Sequence, residues 1–452
     1  MAETATSAVA PARRGRWLSF GTVALVVALA VAAALVGWLA PRSLAGRDAS
    51  ALAAGVIFAT SYLALAMGKI PFLAIDRAGV ALVGACLMVT AGALSLQDAY
   101  RAIDLDTLTL LLGVMIVVAN LRLSGFFAAA TAWVVGRAHA PLVLLTAVTA
   151  ISGIFSAFLV NDAICLVLSP LVLDLALALK RRPVPYLLAV AMASNVGSTA
   201  TITGNPQNIM IGSISGIGYV PFAAALAPVA AVGLVLTVLL IALLHWGEFA
   251  AGDRFAPDMP RVRTNRMLMA RALLATAAMV ALFFAGQPPA KAAIIMGALL
   301  LLTRRVRSPR VYAEIDWSLL LLFAGLFIIV AGAQQALLTS SVVAGVGILH
   351  LERVPMLSAA TAVLSNIVSN VPAVLVLKPF VDGVPDHARA WLTVAMSSTL
   401  AGNFSILGSI ANLIVVQRAA ARGVVIGFWD YFVVGAPLTA LTIAIGTLWL
   451  MR

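Results

Sequence analysis

Charged side chains are scarce in this chain, and their scarcity argues against a soluble protein. Asp, Glu, Lys and Arg make up 10% of the 452 residues, whereas hydrophobic residues make up 63%. An ordinary soluble domain has about 25% charged residues, and it could not bury so much apolar surface. A lipid bilayer is the solvent that suits this composition. The chain is therefore predicted to be an integral protein of the cell (inner) membrane.

Reactive and metal-binding side chains are also rare. The two cysteines, Cys86 and Cys165, suggest neither a disulfide scaffold nor a zinc cluster. An intramembrane hydrolase would need a GxSxG motif with a histidine, or paired aspartates on facing spans, and the sequence has neither. We therefore expect no enzymatic activity and no cofactor.

The net charge of +12 lies in short loops between apolar segments. This placement is typical of membrane proteins and argues against nucleic acid as a partner. Apolar runs of roughly 17–25 residues define membrane crossings. We place eleven crossings, at residues 18–40, 49–68, 77–95, 105–122, 184–212, 222–246, 268–286, 290–303, 317–335, 388–420 and 428–450.

Two further apolar stretches, 141–180 and 355–384, each have a polar tip near the middle. We interpret both as re-entrant hairpins, which enter and leave the membrane on one side. With the N-terminus in the cytoplasm, this threading puts most of the 29 basic residues on the cytoplasmic side and the C-terminus outside, as the positive-inside rule requires. The predicted fold is an all-α polytopic membrane protein with about eleven transmembrane helices and two re-entrant hairpins.

Three segments in the first half of the chain resemble three segments in the second half, in the same order. They are "IDLDTLTLLLG" (103–113) with "IDWSLLLLFAG" (315–325), "FLVNDAICLVLSPLV" (158–172) with "IVSNVPAVLVLKPFV" (367–381), and "AMASNVGSTATITGNPQNIMI" (191–211) with "AMSSTLAGNFSILGSIANLIV" (395–415). An odd number of crossings separates the first pair, so the two halves run in opposite directions. Such inverted repeats are common in secondary transporters.

The repeat defines the predicted domains. Residues 1–45 form a cytoplasmic tail and the first transmembrane helix, 46–247 the first repeat, 248–267 a cytoplasmic linker and 268–452 the second repeat. Each repeat holds one hairpin and one helix broken by polar residues, at 184–212 and at 388–420. In such transporters the broken helices meet near the middle of the membrane and form the binding site.

Irregular backbone at the two breaks must face protein or water, because its unpaired N–H and C=O groups are very unfavourable in lipid. Asn205 and Pro206 are predicted to cap and start a new half-helix, and Ser409 to cap its counterpart. The second hairpin arms are expected to start near Asp162 and near Pro372. Up to four helix N-termini can then converge. Their free N–H groups and partial positive charge suit an anion or a polyhydroxy solute.

The polar residues of the hairpin tips and the breaks are the predicted solute-binding residues. They are Asn161, Asp162, Ser194, Asn195, Ser198, Thr199, Thr203, Gly204, Asn205, Asn208, Ser369, Asn370, Ser398, Thr399, Asn403, Ser405 and Asn412. An isolated Ser or Thr in a membrane helix more often serves helix packing, but this polar block occurs twice. Asp104, Asp106 and Asp316 are expected to be helix N-caps at the ends of spans.

Asp162, Asn161 and Asn370 are the expected ion-coupling residues. Asp162 is the only acid that we place in the middle of the membrane, where a carboxylate is unfavourable and therefore functional by default. It could carry a proton if burial raises its pKa, or it could stay charged and bind sodium. The structural alternative is that it caps the second arm of the first hairpin.

At these motifs the chain resembles the ion transporter superfamily, which joins arsenite permeases, citrate-type carriers, sodium/proton antiporters and divalent-anion/sodium symporters. The resemblance implies a scaffold domain, a moving transport domain that holds both hairpins, and frequent homodimers. Divalent-anion symporters carry Ser-Asn-Thr at both tips, whereas the tips at 160–162 and 369–371 read Val-Asn-Asp and Ser-Asn-Val. The antiporter branch has Gly-Asp-Pro-Pro-Asn in its broken helix, and residues 204–208, Gly-Asn-Pro-Gln-Asn, lack that carboxylate.

The Asn-Asp tip is most similar to arsenite permeases, while the first broken helix is closer to other anion permeases. The resemblance therefore favours an ion-coupled secondary transporter of a small anion or oxyanion. Arsenite efflux, sodium/proton antiport and a passive anion channel stay open as alternatives.

The inverted repeat makes a direct prediction for the two hairpins. Single cysteines in place of Lys180 and of Asp382, at the hairpin ends, should react with a membrane-impermeant maleimide from opposite faces of the membrane. The measurement is labelling of intact and of permeabilised cells, in a background with Cys86→Ala and Cys165→Ala. Labelling of both positions from the same face would contradict the inverted repeat.

Overall fold

The computed structural model describes residues 31–32, 44–67, 75–136, 139–249, 264–302, 306–337 and 349–452. Within these ranges every regular element is helical and no β-strand occurs. The first predicted crossing, 18–40, falls almost entirely outside the described residues. So does most of the predicted linker, 248–267.

The described ranges contain a succession of α-helices with two short 3₁₀ turns, which we call the first turn (Ile202–Gly204) and the second turn (Ile406–Gly408). The helices are α1 (Leu44–Met67), α2 (Arg77–Thr90), α3 (Leu96–Ala102), α4 (Leu105–Ser124), α5 (Phe126–Val135), α6 (Pro141–Phe158), α7 (Asn161–Ala178), α8 (Pro183–Ser198), α9 (Pro206–Ser215), α10 (Tyr219–Leu244), α11 (Trp246–Phe249), α12 (Arg266–Phe284), α13 (Pro289–Leu301), α14 (Ser308–Tyr312), α15 (Trp317–Leu337), α16 (Val354–Val368), α17 (Asn370–Val381), α18 (His387–Ala401), α19 (Ile410–Ala420) and α20 (Phe428–Leu450).

Seven of the described helices are long and apolar enough to cross a membrane, namely α4, α6, α7, α10, α12, α15 and α20. Shorter apolar helices occur in α1, α2, α13, α16, α17 and α19. These elements confirm the prediction of an all-α polytopic membrane protein, while the count of eleven crossings stays a prediction. Helices α3, α5, α11 and α14 lie in segments for which the sequence predicts no helix.

The chain divides into two compact units. One contains residues 1–102 and 321–338, and the other contains residues 103–320 and 339–452. In the first unit α2 lies very close to α15, because a Cβ on Gly325 would come within 2.6 Å of the carbonyl carbon of Ala81. The second unit contains both predicted hairpins and both predicted breaks. The predicted boundaries of the two repeats stay a prediction.

Each predicted hairpin consists of two helices joined by a tight tip. Helices α6 and α7 meet at Val160, whose φ is 42°, and helices α16 and α17 meet at Ser369, whose φ is 78°. Few residues other than glycine adopt a positive φ, yet the sequence match pairs these two positions. The second arms begin at Asn161 and Asn370, one or two residues before the predicted starts. Helices α6 and α7 have 18 residues each, so re-entrance of the first hairpin stays a prediction.

The two broken helices have the same construction. Helix α8 is followed by the first turn and then by α9, and helix α18 is followed by the second turn and then by α19. The two turns start 204 residues apart (406 − 202), and so do the two half-helices (410 − 206). The local structure therefore repeats in step with the sequence match.

The aspartates at the ends of spans divide into two groups. Asp104 caps α4, accepting from the backbone N–H groups of Asp106 at 3.0 Å and Thr107 at 3.3 Å. Asp316 accepts from the N–H of Leu319 at 3.0 Å. Both cap predictions are confirmed. The prediction is wrong for Asp106, because this residue already lies within the first turn of α4, with its side chain exposed.

Helices α6 and α8 pack backbone to backbone. A Cβ on Gly197 would collide with the backbone of Gly153, which cannot move aside as a side chain can. Gly153 lies inside α6, and Gly197 is the last residue but one of α8. Glycine at 197 therefore sets the distance between the first hairpin and the first broken helix.

Gly197→Ala should therefore destabilise the protein strongly, because it forces α6 and α8 apart. Overpacking of a close contact costs about 1–3 kcal/mol or more. Gly247→Ala is the matched control, since a Cβ at that exposed helical position meets nothing within 4 Å. Thermal unfolding of the purified variants measures the difference. Equal unfolding temperatures for the two variants would contradict the close packing.

Candidate functional site

The polar residues of the two breaks meet in one buried cluster. Its members, which we call the amide cluster, are Asn195, Asn205, Asn208, Thr399, Asn403, Ser409 and Asn412, and each is at most 4% exposed. They come from both halves of the chain. The structure thus brings the polar residues of the first break into direct contact with those of the second.

Two equivalent asparagines satisfy the backbone carbonyls that the breaks release. Asn208 donates both hydrogens of its Nδ2 to the carbonyl oxygens of Ser198 and Thr201, each at 3.1 Å. Asn412 does the same for the second break. Its acceptors are the carbonyl oxygens of Gly402 at 2.7 Å and Ser405 at 3.1 Å. A buried acceptor left unpaired costs about 1–3 kcal/mol, so these side chains stabilise the irregular backbone directly.

The half-helices that follow the breaks are capped by their own side chains. The Oδ1 of Asn205 accepts from the N–H of Asn208 at 2.8 Å, and Pro206 occupies the first helical position of α9. The Oγ of Ser409 accepts from the N–H of Ala411 at 3.2 Å. Both predictions of an N-cap are confirmed.

Asn195, at the end of α8, is the centre of one part of the amide cluster. Its Nδ2 donates to the Oδ1 atoms of Asn403 at 2.9 Å and Asn412 at 3.0 Å. Its Oδ1 accepts from the Nδ2 of Asn161 at 2.9 Å and from the Oγ of Ser409 at 3.1 Å. One side chain therefore contacts the first hairpin tip and the second break.

Thr399, at the end of α18, is the centre of the other part. Its Oγ1 accepts from the Nδ2 of Asn205 at 3.0 Å and from the Nε2 of Gln207 at 3.2 Å. The same hydroxyl donates to the Oδ1 of Asn208 at 3.4 Å. Gln207 was not among the predicted site residues, although it lies inside the polar motif of the first break.

The two hairpin tips carry amide atoms that have no hydrogen-bond partner in the part of the chain that the structure describes. The Oδ1 of Asn161 is buried and has no partner among the described residues. Asn370 accepts from the Oγ of Ser365 at 2.8 Å, but its Nδ2 donates to no described acceptor. The first tip therefore offers an acceptor, and the second tip offers donors.

The second hairpin arms also differ from the half-helices at their N-termini. Neither α7 nor α17 has a side-chain cap. At the start of α17 the backbone N–H groups of Asn370 and Val371 have no acceptor among the described residues. Uncapped N–H groups at a helix start attract anions. With the Nδ2 of Asn370, the second tip presents three donor nitrogens that have no described acceptor.

Asp162 lies beside the first tip, as the second residue of α7, and its side chain is half-buried. The N-cap position of α7 is Val160. The alternative that Asp162 caps this arm is therefore wrong, because the helix begins one residue before it. A structural cap does not account for this carboxylate.

Several predicted residues have other partners. Ser194 contacts the Sγ of Cys165 at 2.9 Å, and Thr203 contacts the hydroxyl of Tyr219 at 2.9 Å. Three hydroxyl groups donate to backbone carbonyl oxygens three or four residues earlier in the chain. Ser198 and Thr199 donate to the carbonyl oxygen of Asn195, and Ser398 donates to that of Ala395. Gly204 is buried against the backbone of Ser198. The side chains of Ser369 and Ser405 are half-buried and make no described hydrogen bond.

A cavity of about 220 Å³ borders the first break. The first turn contributes Ile202, and the exposed residues Asp106 and Lys291 bring charges of opposite sign. The other lining residues are Leu110, Ile209, Gly212, Ser213, Pro288, Pro289 and Ala290. The predicted threading puts the starts of α4 and α13 and the end of α9 on one side of the membrane, and residues of all three line this cavity.

Comparison with known proteins assigns the family. Residues 62–401, three quarters of the chain, match the family described as citrate transporter, CitMHS. The silicon efflux transporter LSI3 of Oryza sativa subsp. japonica is 28% identical over 86% of this chain and 96% of its own length. An uncharacterized transporter of Mycobacterium tuberculosis is 30% identical over 87% of this chain and 96% of its own length.

A solved structure shows the same fold. The YdaH transporter of Alcanivorax borkumensis superimposes with a TM-score of 0.54 over 89% of this chain and 97% of that one, at 16% sequence identity. This likeness is structural only, whereas the sequence matches cover nearly the whole chain. The chain belongs to the CitMHS citrate transporter family of membrane transporters.

Proposed function

We propose that the protein is a secondary active transporter of a small anion or oxyanion across the cell membrane, coupled to protons or sodium. The observation that carries the proposal is the second hairpin tip. Its three donor nitrogens, the backbone N atoms of Asn370 and Val371 and the Nδ2 of Asn370, have no acceptor among the described residues. They lie at the start of a helix with no side-chain cap. Such donors and the positive end of the helix dipole favour a negative charge.

The solute class rests on the donors and on the names of the relatives. The family description names citrate, a carboxylate, and the rice relative is named for the efflux of silicon. Citrate carries several oxygen acceptors, which suit the N–H donors of the second tip. Arsenite efflux is the specific second candidate, because the Asn161-Asp162 tip resembles arsenite permeases. Sodium/proton antiport is disfavoured by the missing carboxylate at 204–208.

Asp162 is proposed to carry the coupling. It follows Asn161, whose Oδ1 has no partner among the described residues, and its own side chain is half-buried. A protonated Asp162 would move a proton with the solute, and an ionised Asp162 would attract sodium. A hard metal cation prefers oxygen ligands such as carboxylate and amide groups, whereas a proton would be carried by the carboxylate alone.

Alternating access is proposed to follow an elevator-type movement, in which both hairpins and both breaks travel together against a scaffold. The N-terminus is proposed to be cytoplasmic and the C-terminus external, and the protein to form a homodimer. The continuous hydrogen bonding between the two breaks supports a common movement. A passive anion channel is the alternative of another class, and accumulation of solute against a gradient separates the two.

Asn161→Ala and Asn370→Ala should each abolish transport, with initial rates at least about tenfold lower, while the protein stays folded and inserted. Asn161→Ala removes an acceptor for the coupling ion, and Asn370→Ala removes a donor for the solute. A hydrogen bond with a charged partner is worth about 1.5–3 kcal/mol, enough for a tenfold effect. Uptake of labelled citrate and arsenite into vesicles measures this. Asn265→Ala is the control, since it removes only the cap of α12. Normal rates in both tip variants would show that the tips are not the site.

Asp162→Asn should uncouple transport and leave exchange of solute across the membrane intact. A proton carrier predicts loss of transport driven by a pH gradient, and a sodium ligand predicts a weaker sodium dependence with an unchanged pH response. Asp174→Asn is the control, because it makes the same change at an exposed position of the same helix, where Asp174 pairs with Arg422. If Asp162→Asn transports like the parent under both gradients, coupling through this residue is wrong.

A further inference from the structure

Asn195 and Thr399 occupy equivalent positions in the two repeats, and their hydrogen bonds are equivalent as well. The bond from Ser409 to Asn195 corresponds, at the common offset of 204 residues, to the bond from Asn205 to Thr399. Each of these bonds crosses from one half of the chain to the other. The two breaks are therefore joined twice, by two corresponding connections.

A second pair of bonds follows the same rule. The bond from Asn195 to Asn412 at 3.0 Å corresponds to the bond from Thr399 to Asn208 at 3.4 Å. Asn412 and Asn208 are the residues that hold the released carbonyls of their own breaks. Each central side chain thus orients the asparagine that stabilises the opposite break.

The hydrogen-bonding capacity of both central side chains is used up. An asparagine amide can donate twice and accept twice, and Asn195 makes four such bonds. A threonine hydroxyl can donate once and accept twice, and Thr399 makes three such bonds. A solute could bind to either group only by displacing a buried bond that the protein already makes.

We infer that Asn195 and Thr399 are positioning residues that lock the two breaks into one body, and that neither binds the solute. The structural role does not depend on the proposed transport function, whereas the expected effect on transport rates does. It divides the predicted site residues into a structural group around these two centres and a solute-facing group at the hairpin tips.

The two centres differ in one respect that matters for the tips. Asn195 is long enough to hold the Nδ2 of Asn161 at 2.9 Å. The shorter Thr399 makes no described bond to Asn370, although Asn370 is the counterpart of Asn161. The first tip is therefore fixed to its break, and the donors of the second tip remain available.

The test compares Thr399→Val, which keeps the shape and removes the hydroxyl, with Thr399→Ser, which keeps the hydroxyl. Without any solute, Thr399→Val should lower the unfolding temperature of the purified protein by more than about 5 °C, and Thr399→Ser by less than about 2 °C. An unchanged unfolding temperature in Thr399→Val would overturn the inference. This measurement needs no solute, so its result is valid even if the proposed transport function is wrong.

The second measurement is kinetic and uses citrate and arsenite as probes. A positioning role predicts that Thr399→Val lowers the maximal transport rate at least about tenfold and changes KM less than about twofold, with recovery in Thr399→Ser. A KM raised tenfold or more at an unchanged maximal rate would make Thr399 a solute ligand and overturn the inference. If Thr399→Val does not insert, Ser409→Gly tests the other centre by the same two readouts. It removes the bond to Asn195, and glycine at the N-cap of α19 costs only a few tenths of a kcal/mol relative to serine.

Discussion

Backbone carbonyls that a helix releases inside a membrane must find donors within the protein, and the rest of this structure depends on that constraint. Asn208 and Asn412 supply those donors, each with both hydrogens of one amide group. Once these two side chains are engaged, they need orienting partners of their own. Asn195 and Thr399 are those partners, and they lie across the boundary between the repeats. A local requirement of each break therefore links the two halves of the chain.

The same reasoning separates the parts of the site that hold the fold from the parts that can bind. The half-helices after the breaks are capped by Asn205 and Ser409, so their N–H groups are largely satisfied. The second hairpin arms have no side-chain caps, and the spare amide atoms belong to Asn161 and Asn370. The tips of the hairpins thus have the capacity to contact a solute or a coupling ion, and the breaks provide a rigid base for them.

Local sequence rules predicted much of this construction. Asn205-Pro206 and Ser409 were identifiable as helix starts, because caps depend on neighbouring residues alone. The pairing of Asn195 with Ser409 and of Thr399 with Gln207 was beyond such rules, because it depends on how two distant segments pack. Asp162 was wrongly considered as a cap, since the strained backbone at Val160 starts α7 one residue earlier than the sequence indicated. The short helix α5 was missed because it lies between spans.

The central claim is that the protein drives a small anion or oxyanion across the membrane through coupling to an ion gradient. The most direct measurement is accumulation of labelled citrate or arsenite by liposomes that contain only the purified protein, with a proton or sodium gradient imposed. The account predicts accumulation above the external concentration, in at least one combination of solute and gradient, and its collapse when an ionophore dissipates that gradient. Uptake that only ever equilibrates, with or without a gradient, would contradict the account and identify a passive channel.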